Sequence, residues 1–159
     1  MSQPVESASP KQSRASRRAA RLAAVQALYD MEISGHVAVQ ALDGFRARGG
    51  TADLDGETIP ADEKFFTELL KGVTTERNDL DRLIGEALQK GRQVGNLETV
   101  LRSILRCGAY EMARRDDIDA AVVINEYVTV AAAYYDAGET SFVNGVLDRL
   151  GRVLRENDD

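Results

Sequence analysis

Cysteine, histidine and tryptophan are nearly missing from this 159-residue sequence, which contains one cysteine, one histidine and no tryptophan. A single thiol cannot form an internal disulfide, and one cysteine with one histidine cannot complete the four ligands of a structural zinc site. Long apolar runs are also missing, because none approaches the roughly 18 residues that a membrane-spanning helix needs. The sequence therefore predicts a globular protein with no metal centre and no membrane partner.

Signals for export and for catalysis are missing as well. The first eleven residues are polar and lack the apolar centre of a secretory signal peptide, so we expect a cytoplasmic protein. The sequence has no glycine-rich phosphate loop after a strand and no Ser/His/Asp set. We therefore expect a protein that is not an enzyme and that uses no cofactor.

The lone cysteine and the lone histidine have structural explanations. Cys107 lies in a helical apolar pattern, where a thiol behaves as a small apolar side chain. His36 follows Gly35 at the start of a predicted helix, which favours a turn or helix-start role over metal binding. Both residues are predicted to be structural.

Charge is distributed unevenly along the chain. The net charge is −6, yet residues 1–21 carry a local +4 from five basic residues and one acidic residue: Lys11, Arg14, Arg17, Arg18, Arg21 and Glu6. The other 138 residues therefore carry −10. A basic segment on an acidic protein is typical of a focused anion site, although a solvated basic tail would show the same composition.

A first helix is predicted over residues 14–33, with Ser13 as its N-cap and Ser34 and Gly35 at its end. Four arginines recur at the spacing i, i+3, i+4 and i+7, which places them on one helical face: Arg14, Arg17, Arg18 and Arg21. That face continues through apolar residues to Tyr29. The pattern predicts a helix whose first turns present guanidinium groups to phosphates and whose later turns pack in the core.

Apolar residues at helical spacing predict six further helices. They cover approximately residues 36–48, 61–73, 80–90, 97–115, 119–134 and 140–156. The glycine-rich segment 49–56 is predicted to be a loop, and its Asp53 and Asp55 lack the offsets of a calcium-binding loop. Residues 1–12 are expected to form a flexible extension, and residues 13–159 a single compact all-α domain of about seven helices.

Four separated segments form a specific combination. They are Arg17 to Tyr29; Phe65 to Val73; Ile104 to Arg106 with Ala109 to Glu111; and Ile124 to Glu126 with Phe142 to Asp148. In this order and spacing, between about residues 14 and 150, the chain resembles the NusB family of bacterial transcription antitermination factors.

The resemblance implies an all-helical protein built from two helical subdomains. Family members bind the boxA element of ribosomal RNA leaders together with NusE, a small-subunit ribosomal protein. They help to assemble an antitermination complex on RNA polymerase, and they are not catalysts. The resemblance therefore implies three partners for this chain: boxA RNA, NusE and the RNA polymerase complex.

The resemblance, together with the shared arginine face, assigns RNA binding to six residues: Arg14, Arg17, Arg18, Arg21, Tyr29 and Phe142. Cationic side chains hold the phosphates of a single strand, and aromatic rings stack on its bases. Tyr29 and Phe142 are the stacking candidates. Both also fit apolar stripes, so core packing is the alternative for each of them.

The expected contacts with NusE are Leu101, Arg102 and Leu105. The position of Leu101 is commonly acidic in the family, so an apolar contact must replace a polar one there. Ser141 stands where lysine is frequent, which removes one potential phosphate contact. Asp119 stands where proline is common, which alters only a helix start.

Polar residues in the matching segments are predicted to be structural. Asn125, Glu126 and Asn144 would each satisfy buried backbone groups or pair with a charge such as Arg106. Gly145 would let a neighbouring helix approach closely.

One other functional class remains open on the sequence, and a second is disfavoured. The same fold could serve as a protein-interaction scaffold or a homodimer, with the basic helix covered by an acidic partner surface. An RNA methyltransferase with a helical domain of this kind is disfavoured, because the sequence offers no cofactor-binding βαβ unit. RNA affinity and its salt dependence distinguish the RNA-binding reading from the scaffold.

Overall fold

Seven α-helices and one short hairpin make up the part of the chain that the computed structural model describes, residues 10–155 with side chains from residue 13 onward. The elements are α1 Pro10–Ser34, α2 Ala38–Ala47, β1 Thr51–Leu54, β2 Glu57–Pro60, α3 Glu63–Thr75, α4 Arg77–Ala87, α5 Thr99–Arg114, α6 Ala120–Ala132 and α7 Ala137–Arg155. A 3₁₀ turn, Val94–Asn96, precedes α5. The predicted all-α class and the seven helices are confirmed.

The first helix begins earlier than the sequence predicts. Because α1 starts at Pro10, Ser13 lies inside the helix and is not its N-cap. The predicted end is confirmed, since Gly35 has a φ of 78° and its N–H donates to the Met31 carbonyl at 2.9 Å. Of the extension predicted for residues 1–12, residues 10–12 are helical and residues 1–9 lie outside the described part of the chain.

The loop predicted for residues 49–56 is partly wrong, because Thr51–Leu54 pairs antiparallel with Glu57–Pro60. The two residues between the strands, Asp55 and Gly56, have φ values of 50° and 84°. A type I′ turn requires positive φ at both central positions, and Asp-Gly is a preferred pair for it. The hairpin packs on α1.

The helices form two groups that share α5. The first group is α1, α2, the hairpin and α3; the second is α4, α5, α6 and α7, and α5 also packs against α1 and α3. Every residue of α5 from Leu101 to Met112 except Arg102 is buried. This arrangement agrees with the two helical subdomains that the family resemblance implies.

The start of α1 is fixed against the start of α3. The Asp62 N–H donates to the Ser16 carbonyl at 3.0 Å, and the Asp62 carboxylate accepts from the Phe65 N–H at 3.1 Å, which caps α3. In the same region, Phe45 of α2 stacks on Phe66 of α3 with ring centroids 3.9 Å apart. The start of α1 therefore lies against the first turn of α3.

Two close helix contacts occur at glycines that the sequence pattern does not single out. A Cβ on Gly72 would lie 2.3 Å from the Tyr110 ring, and one on Gly108 would lie 2.8 Å from Leu147. The close approach predicted for Gly145 is wrong, because the three atoms nearest to a Cβ there, at 3.4 to 3.9 Å, all belong to Arg149 of its own helix. Within the described residues, no helix combines the length and apolar character that crossing a membrane requires.

Candidate nucleic-acid interface

The four arginines of α1 do not form one exposed face. Arg14 and Arg18 are exposed and Arg17 is half-buried, whereas Arg21 is 3% exposed. Arg21 follows Arg17 by four residues and therefore lies one turn below it on the same face. The predicted arginine face is therefore exposed only in its first turns, because the turn that contains Arg21 is buried against α3, α5 and α6.

Arg21 belongs to a buried ion pair. Its Nε and one Nη each donate to the Glu111 carboxylate at 2.9 Å, and Glu111 is fully buried. The Tyr127 hydroxyl, also buried, donates to the same carboxylate. Burial alone would lower the pKa of Arg21, but the hydrogen bonds and charge of Glu111 outweigh it and raise the pKa. Arg21 has no free edge for a phosphate, so its predicted role as an RNA contact is corrected to a structural one.

Arg18 is exposed but surrounded by carboxylates. Its Nε donates to both oxygens of Glu126, at 3.0 and 3.1 Å. Glu126 also lies 3.9 Å from Arg21. Asp53 and Asp55 of the hairpin line a small pocket of about 120 Å³ together with Arg18 and Glu126. The prediction that Glu126 pairs with a charge is confirmed, with Arg18 and Arg21 rather than Arg106 as its partners.

Arg106 and the two asparagines of the matching segments lie elsewhere. Arg106 donates to both oxygens of Asp81, at 2.8 and 2.9 Å. Asn125 and Asn144 are exposed, so the prediction that they satisfy buried groups is wrong.

Arg17 faces a different pocket from its neighbour Arg18. This pocket, of about 310 Å³, is lined by residues of α1, α3 and the end of α5: Arg17, Asp62, Lys64, Phe65, Glu68 and Arg115. The guanidinium carbons of Arg17 and Arg115 lie 5.8 and 5.4 Å from the centroid of the Phe65 ring. The sequence reasoning did not select Lys64 or Arg115, which come from segments distant in sequence from α1.

Arg115 forms an ion pair with Asp117, and the pKa of the Asp117 carboxyl reports on that pair. The Arg115 Nε and one Nη donate to Asp117 at 2.9 Å each, and this pairing lowers the pKa of Asp117 to about 2. We expect an NMR titration of the Asp117 carboxyl to show that value. In Arg115→Gln the midpoint should rise toward the ordinary aspartate pKa of about 3.9. A midpoint that stays low in the variant would show that another group stabilises the carboxylate.

The two aromatic candidates lie away from the arginine end of α1. Tyr29 is 36% exposed and stands twelve residues after Arg17, or roughly 18 Å along the helix axis. It borders an open groove of about 560 Å³ with Tyr134. Phe142 is half-buried on α7, and the Arg92 guanidinium lies 4.5 Å from its ring centroid. Tyr29 keeps a free edge, whereas Arg92 covers one side of Phe142.

The expected contacts with NusE are mostly inside the protein. Leu101 is 7% exposed and Leu105 is fully buried, so neither offers a surface for a partner, and these two predictions are corrected to core positions. Arg102 is largely buried and pairs with Glu32 of α1. Its side chain links α5 to α1.

Among the described residues, no group of three or more histidine, cysteine or acidic side chains is arranged to hold a metal ion. Cys107 is fully buried, and burial raises the pKa of its thiol. The structural reading of Cys107 is therefore confirmed.

Comparison with known sequences identifies relatives over most of the chain. Residues 18–152 match the model of the NusB family. A protein of Bradyrhizobium diazoefficiens named transcription antitermination protein NusB is 45% identical over 140 residues, which cover 87% of this chain and 85% of the relative. A protein of the same name from Rhodopseudomonas palustris is 42% identical over 143 residues, which cover 89% and 85%.

Solved structures share the fold. NusB of T. maritima is 27% identical and superposes with a TM-score of 0.70, covering 86% of this chain and 90% of that one. A structure described as antitermination factors NusB and NusE in complex with dsRNA has a TM-score of 0.72 at 21% identity, covering 86% and 96%. At that identity the second likeness concerns the fold alone.

Proposed function

This chain belongs to the NusB family, and we propose that it is a transcription antitermination factor that binds boxA-type single-stranded RNA together with NusE. In this role it contributes to an antitermination complex on RNA polymerase and performs no catalysis. The observation that carries the proposal is the set of surface arginines at the start of α1, on a protein whose remaining residues are strongly acidic.

Electrostatics support a confined RNA site. Guanidinium groups bind phosphates through charge-assisted hydrogen bonds, while the acidic body repels a polyanion elsewhere. The exposed guanidinium groups at the start of α1 therefore offer an RNA backbone cationic contacts on an otherwise acidic protein. The free edge of Tyr29 offers a stacking surface farther along the same helix.

The proposal is tested by fluorescence anisotropy with a labelled boxA-type RNA and a scrambled control, at several salt concentrations, with and without NusE. Three to five phosphate contacts predict a slope of log affinity against log salt of roughly −2 to −3.5 for a single strand. We expect the boxA-type RNA to bind more tightly than the scrambled one and NusE to strengthen the binding. Indifference to RNA sequence and to NusE would instead favour the scaffold or homodimer.

A further inference from the structure

Adjacent arginines of α1 lie in opposite electrostatic surroundings. Successive helical residues are rotated by about 100°, so Arg17 and Arg18 face different neighbours. Arg18 points toward α6 and the hairpin, where its guanidinium is paired with Glu126. Arg17 points toward α3 and the end of α5. An RNA backbone at the start of α1 could therefore lie on either of two sides of the helix. We call them the Arg18 flank, next to α6 and the hairpin, and the Arg17 flank, next to α3 and the end of α5.

The Arg18 flank is unfavourable for a phosphate. Asp53 and Asp55 line the pocket beside Arg18, and Glu57 of the same hairpin is exposed. Arg18 is the one cationic residue among those that line this pocket, and Glu126 already occupies its Nε. A phosphate that reaches the Arg18 guanidinium would approach the carboxylates of Glu126, Asp53 and Asp55, and these negative charges would repel it.

The Arg17 flank is less acidic than the Arg18 flank. Arg17, Lys64 and Arg115 bring three positive charges to one pocket, where they balance the carboxylates of Asp62, Glu68 and the Arg115 partner Asp117. Asp62 caps α3. In the described part of the chain, neither Arg17 nor Lys64 forms an ion pair, so both retain their donors for an external anion.

Glu68 is the second acidic group of this pocket, and its partners are fixed. It accepts from Arg115 at 2.8 Å and from the Tyr110 hydroxyl at 3.1 Å. Both acidic groups of the pocket are therefore already engaged within the protein.

The Phe65 ring organises this flank and limits what can bind there. Arg17 and Arg115 both lie within 6 Å of its centroid, a distance at which the ring attracts a cation. This attraction restricts the guanidinium positions before any ligand arrives, which reduces the ordering cost of binding. Because Phe65 is only 4% exposed, its face is closed to a nucleobase. The pocket suits a phosphate group and does not suit a stacked base.

We propose that the phosphodiester backbone of the bound RNA passes over Arg17 and Lys64, beside the carboxylate-paired Arg115, and that the carboxylates of Glu126 and the hairpin keep it away from Arg18. This inference rests on the proposed RNA-binding function and deepens it. It adds Lys64 to the site and gives Arg17 and Arg18 different roles.

The test compares four single variants that remove the same charge: Arg17→Gln, Lys64→Gln, Arg18→Gln and Arg82→Gln. Arg82 is an exposed arginine of α4, which packs on α5 and α7, and it controls for net charge. We expect Arg17→Gln and Lys64→Gln each to weaken binding of the boxA-type RNA by about 3- to 10-fold and to make the salt slope shallower by about 0.7. Arg18→Gln and Arg82→Gln should each change affinity by less than about twofold. Thermal unfolding of each variant shows whether it is folded.

A companion variant tests the hairpin. Asp53→Asn with Asp55→Asn removes two negative charges, and the amide oxygen introduced at position 53 can still accept the Thr58 hydroxyl that donates to Asp53 at 3.0 Å. We expect this double variant to bind the scrambled RNA several-fold more tightly. Its affinity for scrambled RNA should rise more than its affinity for the boxA-type RNA.

The outcomes separate this inference from the function on which it rests. If the wild-type protein binds neither RNA, the proposed function fails and the inference fails with it. If the wild type binds but Arg18→Gln loses as much affinity as Arg17→Gln, or Lys64→Gln loses none, the proposed path is wrong and the function stands. Unchanged binding of scrambled RNA by the hairpin variant would remove the role given to the hairpin.

Discussion

Glu111→Ala is expected to lower the free energy of unfolding by about 3 to 5 kcal/mol, because it leaves the Arg21 guanidinium charged and buried without its main partner. Glu126, at 3.9 Å, is too distant to replace two hydrogen bonds of 2.9 Å. The Tyr127 hydroxyl loses its acceptor in the same variant. Urea unfolding followed by circular dichroism measures the change.

Two controls identify the unpaired charge as the cause. Glu63→Ala removes one partner of an ion pair whose side chains are about half exposed, so it should cost far less stability than Glu111→Ala, because water screens exposed charges. The triple variant Arg21→Met, Glu111→Leu, Tyr127→Phe removes the whole network, and apolar replacements of buried ion pairs are often neutral. It should therefore be far more stable than Glu111→Ala. A loss below about 1 kcal/mol in Glu111→Ala would show that water reaches Arg21.

This buried pair also explains the position of Arg17. Arg21 lies 5.1 Å from the centroid of the Phe65 ring, and Arg17, one turn earlier, lies 5.8 Å from the same ring. The contact of Arg21 with Glu111 fixes the rotation of α1, and that rotation directs Arg17 to the α3 flank and Arg18 to Glu126. Arg21 is thus a positioning residue for the proposed RNA site.

The sequence predicts the helices well because their signal is local. Apolar residues at helical spacing are visible within each segment, and the observed ends differ from the predicted ones by a few residues. The hairpin is harder to detect because its strands have only four residues each and do not alternate clearly. Its Asp55-Gly56 turn is the available signal.

The site is harder to predict because its pairings are long-range. The spacing of the four arginines cannot show which turn is buried, since Arg21 and its partner Glu111 are 90 residues apart. A glutamate among the regularly spaced apolar residues of α5 is nevertheless a signal, because a buried charge needs a partner. Lys64 and Arg115 carry no periodic pattern that connects them to α1, so their approach to Arg17 emerges only from the packing of α1, α3 and α5.

Gly72→Ala is expected to destabilise the protein by about 2 kcal/mol, although alanine ordinarily stabilises a helix interior by up to about 1 kcal/mol relative to glycine. The new Cβ would lie 2.3 to 2.9 Å from three atoms of the Tyr110 ring. That ring is 8% exposed, and its hydroxyl donates to Glu68, so it cannot move away without losing packing and a hydrogen bond. The overpacking cost therefore exceeds the gain in helix propensity.

Gly85→Ala provides the matched control in α4, because a Cβ there meets only Val94 at 3.9 Å, an ordinary contact. It should stabilise the protein by about 0.5 to 1 kcal/mol, opposite in sign to Gly72→Ala. Adding Tyr110→Leu to Gly72→Ala should recover part of the loss, and a double-mutant cycle measures this coupling. If Gly72→Ala proves as stabilising as Gly85→Ala, α3 and α5 can separate at this point without cost. The close packing of Gly72 on Tyr110 would then not be what sets the distance between the two helical subdomains.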